Sequence, residues 1–250
     1  MARFSDLFSE SSADYAKYRP QYPNELFSYI ASISNAHNIA WDCATGTGQS
    51  ARGLANYFAQ VIASDASPRQ IQNAVRKDKI AYCVTTAERS SIASKSVDAI
   101  TVAQALHWFD LEDFANEVRR VLKPDGVLAV WTYNLLSVQP AIDEVIERLY
   151  SELLAGHWPS ERTLVESGYS NIQLPFTELK QPAFRMSAVW DLSQLCGYLN
   201  TWSAVKAYQR TLGVNPVETL FYSLSEVWGD PKKLFTIEWP LNVKIWINSV

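Results

Sequence analysis

The chain has 250 residues, a formal charge of −4 and no basic block beyond the broken cluster Arg76-Lys77-Asp78-Lys79, so it lacks the basic surface that phosphate-led nucleic-acid binding requires. Its 48% apolar content is enough to bury a sizeable core, yet no stretch approaches the roughly 18 apolar residues of a membrane span. Cys43, Cys83 and Cys196 are odd in number, far apart and without CxxC spacing, which argues against a disulfide framework or a structural metal site. Together with an N-terminus, "MARFSDLFSE", that has no apolar signal region, these features point to a soluble cytoplasmic protein.

The first half alternates short apolar runs with helical patterns. "NIAWDC" reads as a strand and runs into "DCATGTGQS". After that loop Ala51, Leu54, Ala55 and Phe58 recur at helical spacing. "VIASDA" is a second strand, and the helix after it has Ser67 to cap, Pro68 for its first turn and Gln70 to close a capping box. "IAYCVT" and "VDAITVAQA" are the third and fourth strands. "DLEDFANEVRRVL" is a helix capped by Asp110 and stopped by "KPDG", and "VLAVWTY" is the fifth strand. Short apolar strands alternating with helices predict a parallel sheet covered on both faces.

The second half differs. Ile142, Val145, Ile146, Leu149 and Leu153 mark an amphipathic helix, and "NIQLPFTEL" a strand. A long helical insertion follows, its last helix opened by Asn215 and Pro216. In "LFTIEWPLNVKIWINSV", Phe235, Ile237, Trp239, Leu241, Val243, Ile245 and Ile247 alternate strictly, which predicts a strand with one buried face, and Pro240 predicts an edge or bulge. With no repeat or flexible linker, one domain over 1–250 is expected. Its parts are a segment at 1–35, a cofactor-binding core at 36–135 and a helical substrate cap at 185–230.

The loop "DCATGTGQS" carries the chemistry. Gly46 and Gly48 permit positive φ and let a ligand approach bare backbone, and the following helix offers free N–H groups to a carboxylate or phosphate. A P-loop is disfavoured, because Gln49-Ser50-Ala51 stand where its Lys-Ser/Thr would be. A dinucleotide fingerprint survives, since Ala51 is tolerated at its last position. Asp42 before the glycines fits instead a carboxylate facing the cationic, amino-acid end of S-adenosylmethionine (SAM). Asp65, about 17 residues beyond Gly48, can accept from two ribose hydroxyls, a feature of both NAD and SAM sites.

With this loop, Asp65, "TAERSSI" and "VAQALHWFD" in register, the chain resembles the class I SAM-dependent methyltransferases. It is most similar to the small-molecule group that includes trans-aconitate methyltransferases. "DYAKYRPQYP", "LKPDGVLAVW" and "YLNTWSAVKAY" extend the resemblance over most of the chain. One position departs: the first glycine of the usual Asp-x-Gly-x-Gly-x-Gly is Ala44 here.

The resemblance implies a Rossmann-like, seven-stranded, mostly parallel α/β sheet with an antiparallel last strand and a helical cap inserted before it. It implies that Ala44, Thr45, Gly46 and Gly48 lie against the methionine part of SAM, that Asp65 and Ala66 meet the ribose, and that Ala87 and Glu88 hold the adenine. Gln104 and Ala105 would floor the site, while Tyr15, Tyr18 and Arg19 would fold over the cofactor, Arg19 pairing with its carboxylate. Trp108, Trp131, Tyr133, Trp202 and Ser203 are the candidate acceptor-binding residues, and His107 is the candidate base. The expected reaction is direct in-line methyl transfer to a small molecule, a carboxylate oxygen on family grounds, with S-adenosylhomocysteine as product and no metal, nucleic-acid or membrane partner. A non-catalytic SAM sensor and an NAD oxidoreductase are the alternatives. An RNA methyltransferase is disfavoured by the acidic balance and by the lack of an Asn/Asp-Pro-Pro-Tyr/Phe motif.

Overall fold

The computed structural model describes residues 18–249. Its core strands are β1 (Ile39–Cys43), β2 (Gln60–Asp65), β3 (Ile80–Val84), β4 (Val97–Ala103) and β5 (Leu122–Tyr133). They pair in parallel in the order β3-β2-β1-β4-β5. All five therefore end at the same edge of the sheet, which is where an open α/β sheet places its ligands.

β8 (Phe235–Ile247) joins antiparallel to β5, with β6 (Thr177–Leu179) and β7 (Phe184–Trp190) antiparallel along its other side. The expected seven lanes are thus filled by eight strands, because β6 and β7 share a lane. Pro182 stands in the gap between them and has no N–H to give to the ladder. There the side-chain amide of Gln181 donates to the Val243 carbonyl and patches the break. The predicted strand "NIQLPFTEL" shrinks accordingly to Thr177–Leu179.

Two of the local caps act as anticipated. Asp110 accepts from the Asp113 N–H at 3.1 Å at the start of α4 (Leu111–Val121), and Asn215 from the Val217 N–H at 3.0 Å at the start of α9 (Pro216–Trp228). Ser67 caps α3 (Pro68–Gln72), but the reciprocal half of the box is missing: Gln70 Oε1 is buried with no partner among the described residues. "KPDG" bulges out of an otherwise continuous β5, where the register with β4 jumps from Val97↔Leu122 to Ala99↔Val127 and Asp125 takes a positive φ of 57°. Pro240 sits within β8 where the β5 ladder ends at Tyr133↔Leu241, so its missing donor costs no ladder bond on that side.

Three apolar clusters hold the layers. On one face Leu26, Phe27 and Ile30 of α1 (Asn24–Ile33) and Leu54 of α2 (Gln49–Leu54) pack on Trp131 and Ile245. On the other, Phe114, Val118 and Val121 of α4 pack on Ile100, Leu128 and Trp246. The third cluster joins α5 (Pro140–Arg148), α7 (Leu192–Leu199), α8 (Ser203–Leu212) and α9 to Tyr133, Ile237 and Trp239. These last three helices are the cap. The helical stretch begins at Leu192 rather than 185, because Phe184–Trp190 alternate in burial and are consumed by β7. After α5 the helix widens into a π turn, Leu149–Leu153, with the Leu154 N–H donating to Leu149 O.

Candidate active site

β1 delivers the glycine loop to the common strand edge. Ala44, Gly46 and Gly48 all have positive φ, at 54°, 57° and 86°. The family's glycine position thus keeps its left-handed backbone although it carries a methyl group. Gly48 is required twice over: a Cβ there would meet the Tyr82 hydroxyl at 2.3 Å.

Asp42 does not face a ligand, which corrects the sequence expectation. It is fully buried, Thr101 Oγ1 of β4 donates to its Oδ1 at 2.7 Å, and Thr45 donates to its Oδ2. Desolvation pushes its carboxyl above the usual range, while the bonds from Thr45 and Thr101 pull the other way. Its role is to tie the loop to the sheet.

Asp65, half-buried at the end of β2, accepts from the Gly46 N–H and the Ser67 N–H, both at 2.9 Å. Ala66 follows it, half-buried. After β3, Ala87 is buried, and Glu88 accepts from the Asp110 N–H at 3.3 Å, which joins it to the start of α4. The turn beyond is fastened by Glu117, which accepts from the Ser90 N–H and from Arg120, both at 2.7 Å. Burial raises the Glu117 carboxyl, but Arg120 and Ser90 outweigh it and hold it low. The sequence reading missed this clamp.

A cleft opens at the ends of β4 and β5. It gathers Arg19, Gln104, His107, Trp108, Tyr133, Trp202 and Ser203 from the sequence candidates, and adds Trp158, Arg162 and Tyr198 among others. The cavity within it is about 80 Å³. Gln104, at φ 56°, is held by β5 at both ends of its amide: Nε2 donates to Tyr133 O at 3.3 Å and Oε1 accepts from Thr132. Ala105 is buried behind it. The Arg19 Nη1 donates to the Tyr133 hydroxyl at 2.6 Å and Nη2 to Thr201 O at 3.4 Å, with the guanidinium over the Tyr198 ring.

Trp131 is a second correction. It is fully buried beneath Tyr22 and Phe27 and belongs to the core, two residues short of the strand end where Tyr133 reaches the cleft. Trp202 instead caps α8 and packs edge-on against Tyr150 and obliquely against Trp158. Arg210 is exposed on the solvent face of α8. Tyr15 lies outside the described residues.

His107 lines the cleft with Nδ1 2.7 Å from the Tyr169 hydroxyl. Burial, aided by the positive charge of Arg162, pushes its pKa to about 3. A base that weak is mismatched to neutral pH, which argues against the catalytic role suggested by sequence.

Arg162 had no sequence signal, because "WPSER" has no periodicity. It lies on α6 (Arg162–Glu166), donates Nε to the Tyr150 hydroxyl at 2.9 Å and stacks 4.9 Å over the Trp158 ring. Tyr150 in turn donates to Glu166. No group of three or more His, Cys, Asp or Glu comes together as a metal site, and no helix is long and apolar enough to cross a membrane, among the described residues.

A doubly covered, mostly parallel sheet with a glycine loop and an acid at its carboxyl edge defines a Rossmann-like α/β fold. The comparisons narrow that class. The family described as "Methyltransferase domain" matches residues 41–130. A Dictyostelium discoideum protein described as a methyltransferase is 32% identical over 247 residues, covering 96% of this chain and 94% of its own. A Schizosaccharomyces pombe uncharacterized methyltransferase is 27% identical, with 88% and 86% covered. The solved structure of an Anaeromyxobacter dehalogenans protein, described as a type II methyltransferase, is 40% identical with a TM-score of 0.87, covering 93% of this chain and 99% of that one. The chain belongs to the class I SAM-dependent methyltransferase family.

Proposed function

We propose that the chain binds SAM and methylates a small molecule at a carboxylate oxygen, in the cytoplasm. The observation that carries this reading is the cleft's charge: the Arg162 guanidinium lines it, and among the described residues no aspartate or glutamate does. An anion is the acceptor that such a site favours.

The loop fits the cofactor. Among the described residues, a Cβ added to Gly46 would meet only Gln70 Oε1, at 4.0 Å, so this backbone is open to a ligand. The buried, unpartnered Gln70 Oε1 adds an acceptor beside it. In this reading Ala44, Thr45, Gly46 and Gly48 hold the methionine end, Asp65 and Ala66 the ribose, Ala87 and Glu88 the adenine, with Gln104 and Ala105 beneath. Arg19, and Tyr15 from outside the described residues, cover it. When bound, SAM supplies a methyl group already activated by its sulfonium, for in-line displacement that leaves S-adenosylhomocysteine.

The chain's own work is to orient and to exclude water, terms that supply roughly 7–11 kcal/mol. Gln104, fixed at both amide ends, offers a rigid floor. The aromatic rings of Trp108, Tyr133 and Trp202 wall off solvent, with Ser203 at the rim. A carboxylate is ionised at neutral pH and needs no base, which accords with a neutral His107.

Calorimetric titration with SAM and with S-adenosylhomocysteine tests the cofactor half. Heat with neither, on folded protein, would end the proposal. Asp65→Asn keeps one oxygen acceptor but loses the charge and should weaken both ligands at least ten-fold. Transfer of a labelled methyl to a carboxylic acid, recovered as its ester, tests the other half.

A further inference from the structure

The two guanidiniums of the cleft are not equivalent. Both Nη atoms of Arg19 are engaged, one by Tyr133 and one by Thr201. On Arg162 only Nε is bonded; its two Nη atoms have no partner among the described residues and are not sealed from solvent. The side chain is nonetheless fixed. The Tyr150 hydroxyl holds Nε, and the ring of Trp158 lies 4.9 Å beneath the guanidinium carbon. Trp158 is itself anchored, its Nε1 donating to Tyr150 O at 3.1 Å. A stacked guanidinium whose plane is set and whose outer N–H groups are open is a fork for a flat, two-oxygen anion.

The Glu166 carboxylate, which would otherwise compete for that fork, is held by the Tyr150 hydroxyl and forms no ion pair with Arg162 within 4 Å. Desolvation and this bond raise the Tyr150 pKa to about 12, so the phenol stays protonated and neutral. The aromatic wall beside the fork, Trp108, Trp158 and Trp202, suits a flat apolar body.

We propose that Arg162 is the specificity-determining residue of the acceptor site, clasping the acceptor's carboxylate through its two Nη atoms while the tryptophans pack an attached apolar ring or chain. This rests on the reading of the cleft as the acceptor site. It also gives the product a route out: once the held carboxylate is an ester it has lost its charge, and with it the grip of the fork.

The test is calorimetry on the full chain saturated with S-adenosylhomocysteine, titrated with benzoate and trans-cinnamate and with the matching amides and methyl esters. At least one carboxylate should bind, and its amide and ester at least ten-fold more weakly. Arg162→Gln should lose at least ten-fold in carboxylate affinity and this discrimination, while Arg162→Lys, which keeps the charge but not the fork, should fall between. Affinity of both variants for S-adenosylhomocysteine should stay within two-fold of the parent, which also shows that they fold. Binding of neither carboxylate, equal binding of carboxylate and amide, or an unchanged Arg162→Gln overturns the proposal. Failure of the parent to bind S-adenosylhomocysteine defeats the cofactor reading instead, and is seen before any carboxylate is added.

Discussion

Thr101 Oγ1 donates to Asp42 Oδ1 at 2.7 Å, joining neighbouring strands from positions 59 residues apart. Both residues are fully buried. Thr101→Val keeps the shape and removes one of the donors to a buried carboxylate. The expected cost is about 1–3 kcal/mol, read by denaturant melting. SAM affinity should fall with it, because the same carboxylate holds Thr45. A stability change below the error of the melt would show that the bond is idle.

Ala44 sits at φ 54°. An alanine there carries a strain of about 1–2 kcal/mol, against which glycine loses about 0.5–1 kcal/mol in chain entropy. Ala44→Gly should therefore leave stability unchanged or raise it by up to about 1.5 kcal/mol. A clear drop in melting temperature would contradict this account.

Gly48 is the opposite case. Its φ of 86° strains any side chain, and a methyl group there would have to displace the Tyr82 hydroxyl, 2.3 Å away. Gly48→Ala should destabilise by about 1–3 kcal/mol and weaken SAM binding. Pairing it with Tyr82→Ala should recover only the steric part, which a double-mutant cycle separates from the backbone part.

His107 gives a pH signature. Its pKa is about 3 in the folded chain and near 6.5 when unfolded. Below pH 6.5 the unfolded chain takes up a proton that the folded chain refuses, so this residue lowers stability as pH falls, until about pH 3. Between pH 6.5 and 5 the expected loss is about 2 kcal/mol. His107→Gln should flatten that slope in melts run at the two pH values, and methyl transfer to a carboxylate should not track a histidine titration.

What the sequence disclosed followed local rules. The strand–loop–helix at Asp42–Ser50 and the caps at Asp110 and Asn215 each depend on residues within a few positions of one another, and each is present; the alternation of β8 holds from Thr236 to Pro240, but near its end Trp246, on the face expected to stay open, is buried beside Ile245. What it hid depends on distant partners. Asp42 turns inward because Thr101 waits on the next strand. Trp131 and Tyr133 share a face of β5, and only the cover of Tyr22 and Phe27 puts one in the core. Arg162 was invisible because its meaning lies in Tyr150, on a π turn no periodicity announces. An arginine and a tryptophan together in an otherwise unexplained loop were the available clue.

β8 runs for 13 residues, bonded to β5 through Leu241–Ile247 and to β7 through Phe235–Leu241. Floor and roof of the cleft are thus mounted on one beam rather than across a hinge. Cutting out the cap helices as a cassette would spare this beam only if β7 went untouched, and a graft of a foreign cap would have to bring an edge strand of matching register. Diversification of such a roof is therefore easiest by exchanging side chains along Leu192–Trp228, and hardest by exchanging the roof itself.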